Sequence, residues 1–214
     1  MDFLERPRLR GVFHQYAFFV AVVAGAVLVL VADSARARFA MVVYGGALSA
    51  MFGASAIYHR VPWRSLRVRA WMRRIDHSMI PLLIAGTYTP FALLAFDGRV
   101  ADAILIAVWC GAAAGVVLNL VWVDAPTWVT AAVYLALGWV GVAALPELFD
   151  VGVAPALLVL GGGALYTVGA VTYALRRPNP RPAVFGYHEI FHLFVIGAAV
   201  MHYVAIAAFV LPKA

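Results

Sequence analysis

Seven apolar runs, each close to the length of a membrane-crossing helix, constrain this chain more than any other feature. Read between charged residues and Pro/Gly breaks, they cover approximately 13–32, 39–59, 75–96, 101–122, 127–145, 153–175 and 187–211. A bilayer core requires about 20 consecutive apolar residues per helix. Lipid also offers no hydrogen bonds to the backbone, so only helices and closed barrels span it. Hydrophobic residues make up 65% of the chain and charged residues only 12%, whereas a soluble domain has about 45–50% and 25%. The expectation is an all-α membrane protein, a single seven-helix transmembrane domain over residues 1–214. Val123-Asp124-Ala125-Pro126 reads as a tight turn between the fourth and fifth spans. Pro146 to Gly152, with Glu147 and Asp150, reads as a short loop between the fifth and sixth.

The net charge of +6 raises the question of a nucleic-acid partner. The positions of the cations argue against one, because nearly every arginine falls in a short loop between apolar runs, as membrane topology demands. Arg6, Arg8 and Arg10 precede the first span; Arg60, Arg64, Arg67, Arg69, Arg73 and Arg74 follow the second; Arg176, Arg177 and Arg181 follow the sixth. Only Arg36, Arg38, Arg99 and Lys213 fall on the other side. Positive charge stays on the cytoplasmic side, so the N-terminus is expected in the cytoplasm and the C-terminus outside. The first apolar run is too long for the core of a signal peptide, and the Ala35-Arg36-Ala37 candidate cleavage site is flanked by Arg38. An uncleaved first span follows. Fifteen arginines to one lysine, among abundant Ala, Val and Gly, suit a GC-rich bacterial genome and hence a bacterial inner-membrane protein. The single cysteine, Cys110, excludes an intrachain disulfide and a cysteine-rich metal site.

With that topology the intramembrane polar residues can be placed by depth. Ser55 and His59 lie one turn apart at the cytoplasmic end of the second span. Asp76, His77 and Ser78 open the third; His188, Glu189 and His192 open the seventh. Segments more than a hundred residues apart thus bring their polar groups to one membrane level. Ionisable residues inside a membrane segment mark function by default.

His188 and His192 stand at i and i+4, which stacks two imidazoles on one helix face. With His59 they form a three-nitrogen set, the pattern of a catalytic Zn2+ with an open fourth position, whose chemistry is to activate water near neutral pH. Asp76 would orient that water or accept its proton, and Ser55 would bind the water or the oxyanion. An isolated membrane histidine is more often a packed or hydrogen-bonded residue than a ligand, and His14, His77 and His202 are left in that class. His202 lies about 15 Å beyond His192 along a helix, too far to join the site directly. His77 is expected to point about 100° away from its neighbour Asp76.

His188-Glu189-Ile190-Phe191-His192 also satisfies H-E-x-x-H, in which the glutamate is the general base of a zinc protease. Five residues are a weak match, and no further acidic ligand follows in an Asn-Pro-Asp-Gly-like segment. Glu189 is expected instead to face the headgroups or to join the network around the ligands.

Three motifs then carry a resemblance to a family. Ser55-Ala56-Ile57-Tyr58-His59 resembles the S-x-x-x-H element of hemolysin III proteins and their relatives, the progestin and adiponectin receptors. Asp76 to Pro90 is similar to the third-span signature of the bacterial branch, and His188 to Phe194 to its H-x-x-x-H element. The resemblance covers essentially the whole chain; Pro81 departs from the aromatic or aliphatic residue expected there. It implies seven helices and a zinc near the cytoplasmic face, held by the histidines matching His59, His188 and His192. The residue matching Asp76 reaches the metal through water, with the one matching Ser55 close by. These proteins are grouped with alkaline ceramidases among membrane hydrolases. The functional expectation is therefore a zinc-dependent hydrolase acting on a lipid-like amide or ester, with membrane lipid as its partner. A receptor-like or membrane-stress regulator with structural zinc, and a pore-forming cytolysin, are the alternatives.

Overall fold

A computed structural model describes residues 7–213 of the chain; of the arginines counted above, Arg6 lies outside them. Eight α-helices follow one another: α1 (Val12–Leu30), α2 (Ala35–Arg60), α3 (Leu66–Leu94), α4 (Gly98–Val121), α5 (Thr127–Gly138), α6 (Leu145–Val151), α7 (Val153–Leu175) and α8 (Tyr187–Ala205). Among the described residues seven segments are long and apolar enough to cross a membrane, with Thr127–Val151 counting as one and the last running Tyr187–Lys213. Among the described residues there is no strand, only an isolated bridge between Arg181 and Phe185.

The helix ends follow from local chemistry. Ser34 Oγ accepts from Ala37 N and caps α2, and Ser65 Oγ accepts from Val68 N and caps α3. At α8 the cap is supplied from inside the helix, where Glu189 Oε2 accepts from Gly186 N at 2.7 Å. Gly11, the residue before α1, has φ +77°, and a Cβ built there would stand 2.6 Å from His59 Cβ. Glycine is needed for both the left-handed backbone and the close approach, and it sets the start of α1 against the end of α2. Further along the same pair, a Cβ on Gly45 would meet Gly25 Cα at 3.0 Å, so the two backbones touch where neither residue has a side chain.

The distribution of side chains is inverted relative to a soluble protein. Leu30, Val121, Trp128 and Leu175 are largely exposed on the outside of the bundle, while His14, Ser55, Asn119, Glu189 and His192 are buried. An apolar exterior on this scale belongs to a chain solvated by lipid. The protein is a multi-pass membrane protein.

Two expectations about boundaries require correction. The segment expected as a loop, Pro146 to Gly152, is mostly the short helix α6, reached from α5 through a 3-10 stretch, Trp139–Ala144. Proline suits a first helical turn because its missing N–H has no partner there in any case, and Glu147 sits in that turn. The break comes only at Gly152, with φ +147°. The third helix begins at Leu66 rather than at 75, because the arginines that end the apolar run do not end the helix. Arginine is a good helix former.

Pro81 and Pro90 both lie within the continuous helix α3. A proline removes the hydrogen bond to the carbonyl four residues earlier, which for Pro81 is His77. That carbonyl accepts from Tyr134 Oη of α5 at 3.3 Å. A hydroxyl has one proton, and Tyr134 Oη also faces Asn119 Oδ1 at 2.9 Å, so that proton is shared between the two acceptors unless the Asn119 amide is turned to donate its otherwise unpartnered Nδ2.

Candidate metal centre

The start of α1, the end of α2, the part of α3 around Asp76 and the start of α8 meet at one end of the bundle. Four backbone and side-chain ties close it. Arg8 N and Leu9 N donate to the carbonyls of Ala183 and Val184, and Arg60 Nε donates to Gln15 Oε1. Arg10 Nε lies 2.5 Å from Glu189 Oε1.

Within this closure the histidines of α2 and α8 converge. His59 Nε2 and His188 Nε2 are 3.1 Å apart, and one ligand nitrogen from each of His59, His188 and His192 lies within 4.8 Å of the other two. The ring of His188 is 4.7 Å from that of His192, as the i, i+4 spacing requires. Asp76 Oδ2 reaches to 3.8 Å from His59 Nε2, beyond direct hydrogen-bond length. His192 is 2% exposed and its Nδ1 is buried without a hydrogen-bond partner. Converging nitrogens, an adjacent carboxylate and an unpaired buried imidazole nitrogen make a donor set that fits a cation of the zinc type.

The remaining polar residues sort by contact. His77 does not point away from Asp76: its Nδ1 lies 3.5 Å from Asp76 Oδ2, within ion-pair reach though without hydrogen-bond geometry. Successive Cβ atoms on a helix diverge, but side-chain rotations bring these two ends back toward one cavity. His202 stands apart from the trio and bonds Val159 O through Nε2 at 3.1 Å. Glu189, fully buried, faces no headgroups; it holds Arg10 with one oxygen and the start of α8 with the other. Both oxygens are engaged, one of them with the Arg10 cation, and this structural tie does not suit the general-base role of H-E-x-x-H.

Sequence reasoning missed His14. It lies 2% exposed in the first turn of α1, with Nδ1 2.8 Å from Ser55 Oγ. Its ring stacks on His192 at 3.7 Å and 11° between planes. The depth argument that selected the other residues applies to it equally, since it begins its span at the same membrane level.

The site opens into a cavity of about 170 Å³. His14, Ser55, His59, Asp76, His77, His188 and His192 line it together with Thr130, Tyr134 and His202, and the exposed lining is mostly apolar, with Leu83, Phe91, Leu135, Leu148 and Val195 contributing.

The family described as Haemolysin-III related matches residues 3–203 of this chain. The chain belongs to that family. It is 29% identical to Hemolysin-3 of Bacillus cereus over 217 residues, covering 100% of this chain and 95% of the relative. Against the Hemolysin-3 homolog of Bacillus subtilis (strain 168) the identity is 31% over 159 residues, 73% of this chain and 70% of the relative. The human monocyte to macrophage differentiation factor, a relative of the progestin and adiponectin receptor type, is 26% identical over 196 residues, covering 90% and 79%. The family match contains every residue of the site, from His14 in α1 to His192 in α8.

Proposed function

We propose that this haemolysin-III family protein is a zinc-dependent membrane hydrolase acting on a lipid-like amide or ester, with its site at the cytoplasmic face of a bacterial inner membrane. One observation carries the reading: three imidazole nitrogens within 4.8 Å of one another, beside a carboxylate, at the end of a mostly apolar cavity. His59, His188 and His192 would hold the ion, whose chemistry is Lewis-acid polarisation of a carbonyl and activation of water. The arginines of 60–74, around the α2–α3 connection, and those of 176–181 support the cytoplasmic placement.

Each residue then has a task its position allows. Asp76 accepts the proton of the attacking water and returns it to the leaving amine or alcohol as the carbonyl–heteroatom bond breaks. Ser55 Oγ donates toward the oxyanion. The apolar lining takes the hydrocarbon part of the substrate and keeps bulk water from the reacting atoms.

The test is purification in mild detergent, metal analysis, and hydrolysis assays on a panel of acyl amides and esters. Stoichiometric zinc with turnover that Asp76→Asn abolishes supports the reading; a chain that takes up no metal ends it. The name Hemolysin-3 of a relative matched over the full chain favours a second reading, a pore-forming cytolysin. That reading predicts dye leakage from liposomes that survives His192→Ala.

A further inference from the structure

We propose that His14 is a positioning residue that holds two members of the site at once: the ring plane of His192 and the hydroxyl direction of Ser55. The inference rests on the metal reading above and adds a fourth helix, α1, to a site otherwise drawn from α2, α3 and α8.

The geometry separates His14 from the ligand trio. Its ring lies nearly parallel to that of His192, 3.7 Å away. Two imidazoles stacked face to face cannot both aim a ring nitrogen at a point in the shared plane of either one. The three other histidines instead meet at 55° or more: 77° between His59 and His188, 56° between His59 and His192, 68° between His188 and His192. His14 is thus a wall behind His192, while the trio converges. Phe52 closes on the edge of His14 at 5.0 Å, so the wall is itself fixed.

The bond to Ser55 gives the second function. One ring nitrogen of a neutral imidazole donates and the other accepts. With the proton on Nδ1, His14 donates to Ser55 Oγ across 2.8 Å, and the serine proton is free to turn into the cavity that Ser55 lines. Nε2, buried without a partner, is then a bare lone pair. The opposite tautomer would place the N–H on a nitrogen without a close hydrogen-bond partner and turn the serine proton away from the cavity. Unpaired donors are the rarer defect in folded proteins, and the first arrangement leaves Ser55 a donor, as oxyanion stabilisation requires.

The experiment compares wild type with His14→Ala and His14→Phe, each reloaded with cobalt or zinc in detergent. The readouts are metal affinity by chelator competition, the visible absorption band of the bound cobalt, and thermal unfolding of the metal-free chain. His14→Ala is expected to weaken metal binding by roughly 10- to 100-fold, the usual effect of removing a residue that orients a ligand, and to shift the cobalt band. His14→Phe keeps a flat ring behind His192 and is expected to restore affinity and band together, while losing the turnover that depends on Ser55. If both variants load metal like the wild type with an unchanged cobalt band, His14 is mere packing and the inference is overturned. Failure of His14→Phe to restore what His14→Ala loses overturns it as well. A wild-type chain that binds no metal removes the metal reading and this inference together, which distinguishes the two failures.

Discussion

The Nε2 atoms of His59 and His188, 129 residues apart in sequence, face each other at 3.1 Å. Two neutral imidazoles at that distance share one proton at best, while a cation between them and His192 engages every lone pair. Binding to the folded state alone stabilises it by mass action, about 2.7 kcal/mol when free metal is at a hundred times its dissociation constant. Zinc at that excess is expected to raise the unfolding free energy by this amount. His59→Ala and His188→Ala should each abolish the increment. Thermal unfolding of chelated and reloaded protein checks both.

Asp76 stands 3.8 Å from His59 Nε2, too far to be a primary partner of that ring but close enough to serve a water or a substrate held there. Asp76→Asn is expected to keep stoichiometric metal and to lower the turnover rate by roughly 10²–10⁴-fold, the range for removing a positioned general base. Metal analysis and single-turnover rates on one preparation separate these outcomes. Loss of metal and rate together would make Asp76 a ligand instead.

Glu189 is expected to behave in the opposite way. It occupies the general-base position of a protease motif, yet its carboxylate joins Arg10 to the first turn of α8. Glu189→Gln retains an oxygen for Gly186 N and loses the charge opposite Arg10. A hydrogen bond to a charged group is worth about 1.5–3 kcal/mol. Arg10, whose side chain is 21% exposed, recovers part of that from water, so the lower end is expected. Turnover should stay within a few-fold of wild type, which a protease base would not permit.

Much of this site is legible in the sequence, and the reason is depth. His59, Asp76 and His188 each lie at the boundary between an arginine-rich loop and an apolar run, so hydropathy alone sets them at one level. His14 meets the same criterion but has no i, i+4 partner, and a lone histidine carries no pattern to lift it above packing. The role of Glu189 is hidden for a different reason: its partner Arg10 is 179 positions away, and no local spacing announces that contact. In the fold, hydropathy locates the spans but not the helix ends at Leu66 and Val151. Helices here continue past the apolar boundary wherever good helix formers or a first-turn proline allow.

Gly11 links the entry of α1 to the back of His59. Alanine there would sit in the left-handed region at a cost of about 1–2 kcal/mol, and its Cβ would press on His59 Cβ. Gly11→Ala is expected to lose at least that much stability and to weaken metal binding as well, because His59 must move. A variant that is less stable but binds metal normally would limit Gly11 to a backbone role.

Pro81 and Tyr134 are expected to be coupled energetically. Pro81 has no N–H for the carbonyl of His77, which accepts from Tyr134 Oη instead. Tyr134→Phe removes that donor and should cost about 1–3 kcal/mol, the penalty for an unsatisfied buried polar group. In a Pro81→Ala background the restored backbone N–H can reach the same carbonyl, closing the usual i to i−4 bond. Tyr134→Phe should then cost distinctly less. Residues that share one partner show coupling of about 0.5–3 kcal/mol in a double-mutant cycle. Reversible unfolding of the four chains in one detergent measures it. Additive losses would mean that the His77 carbonyl draws nothing from Tyr134. A positive coupling would tie Pro81 to the position of the helix segment that carries Asp76 and His77.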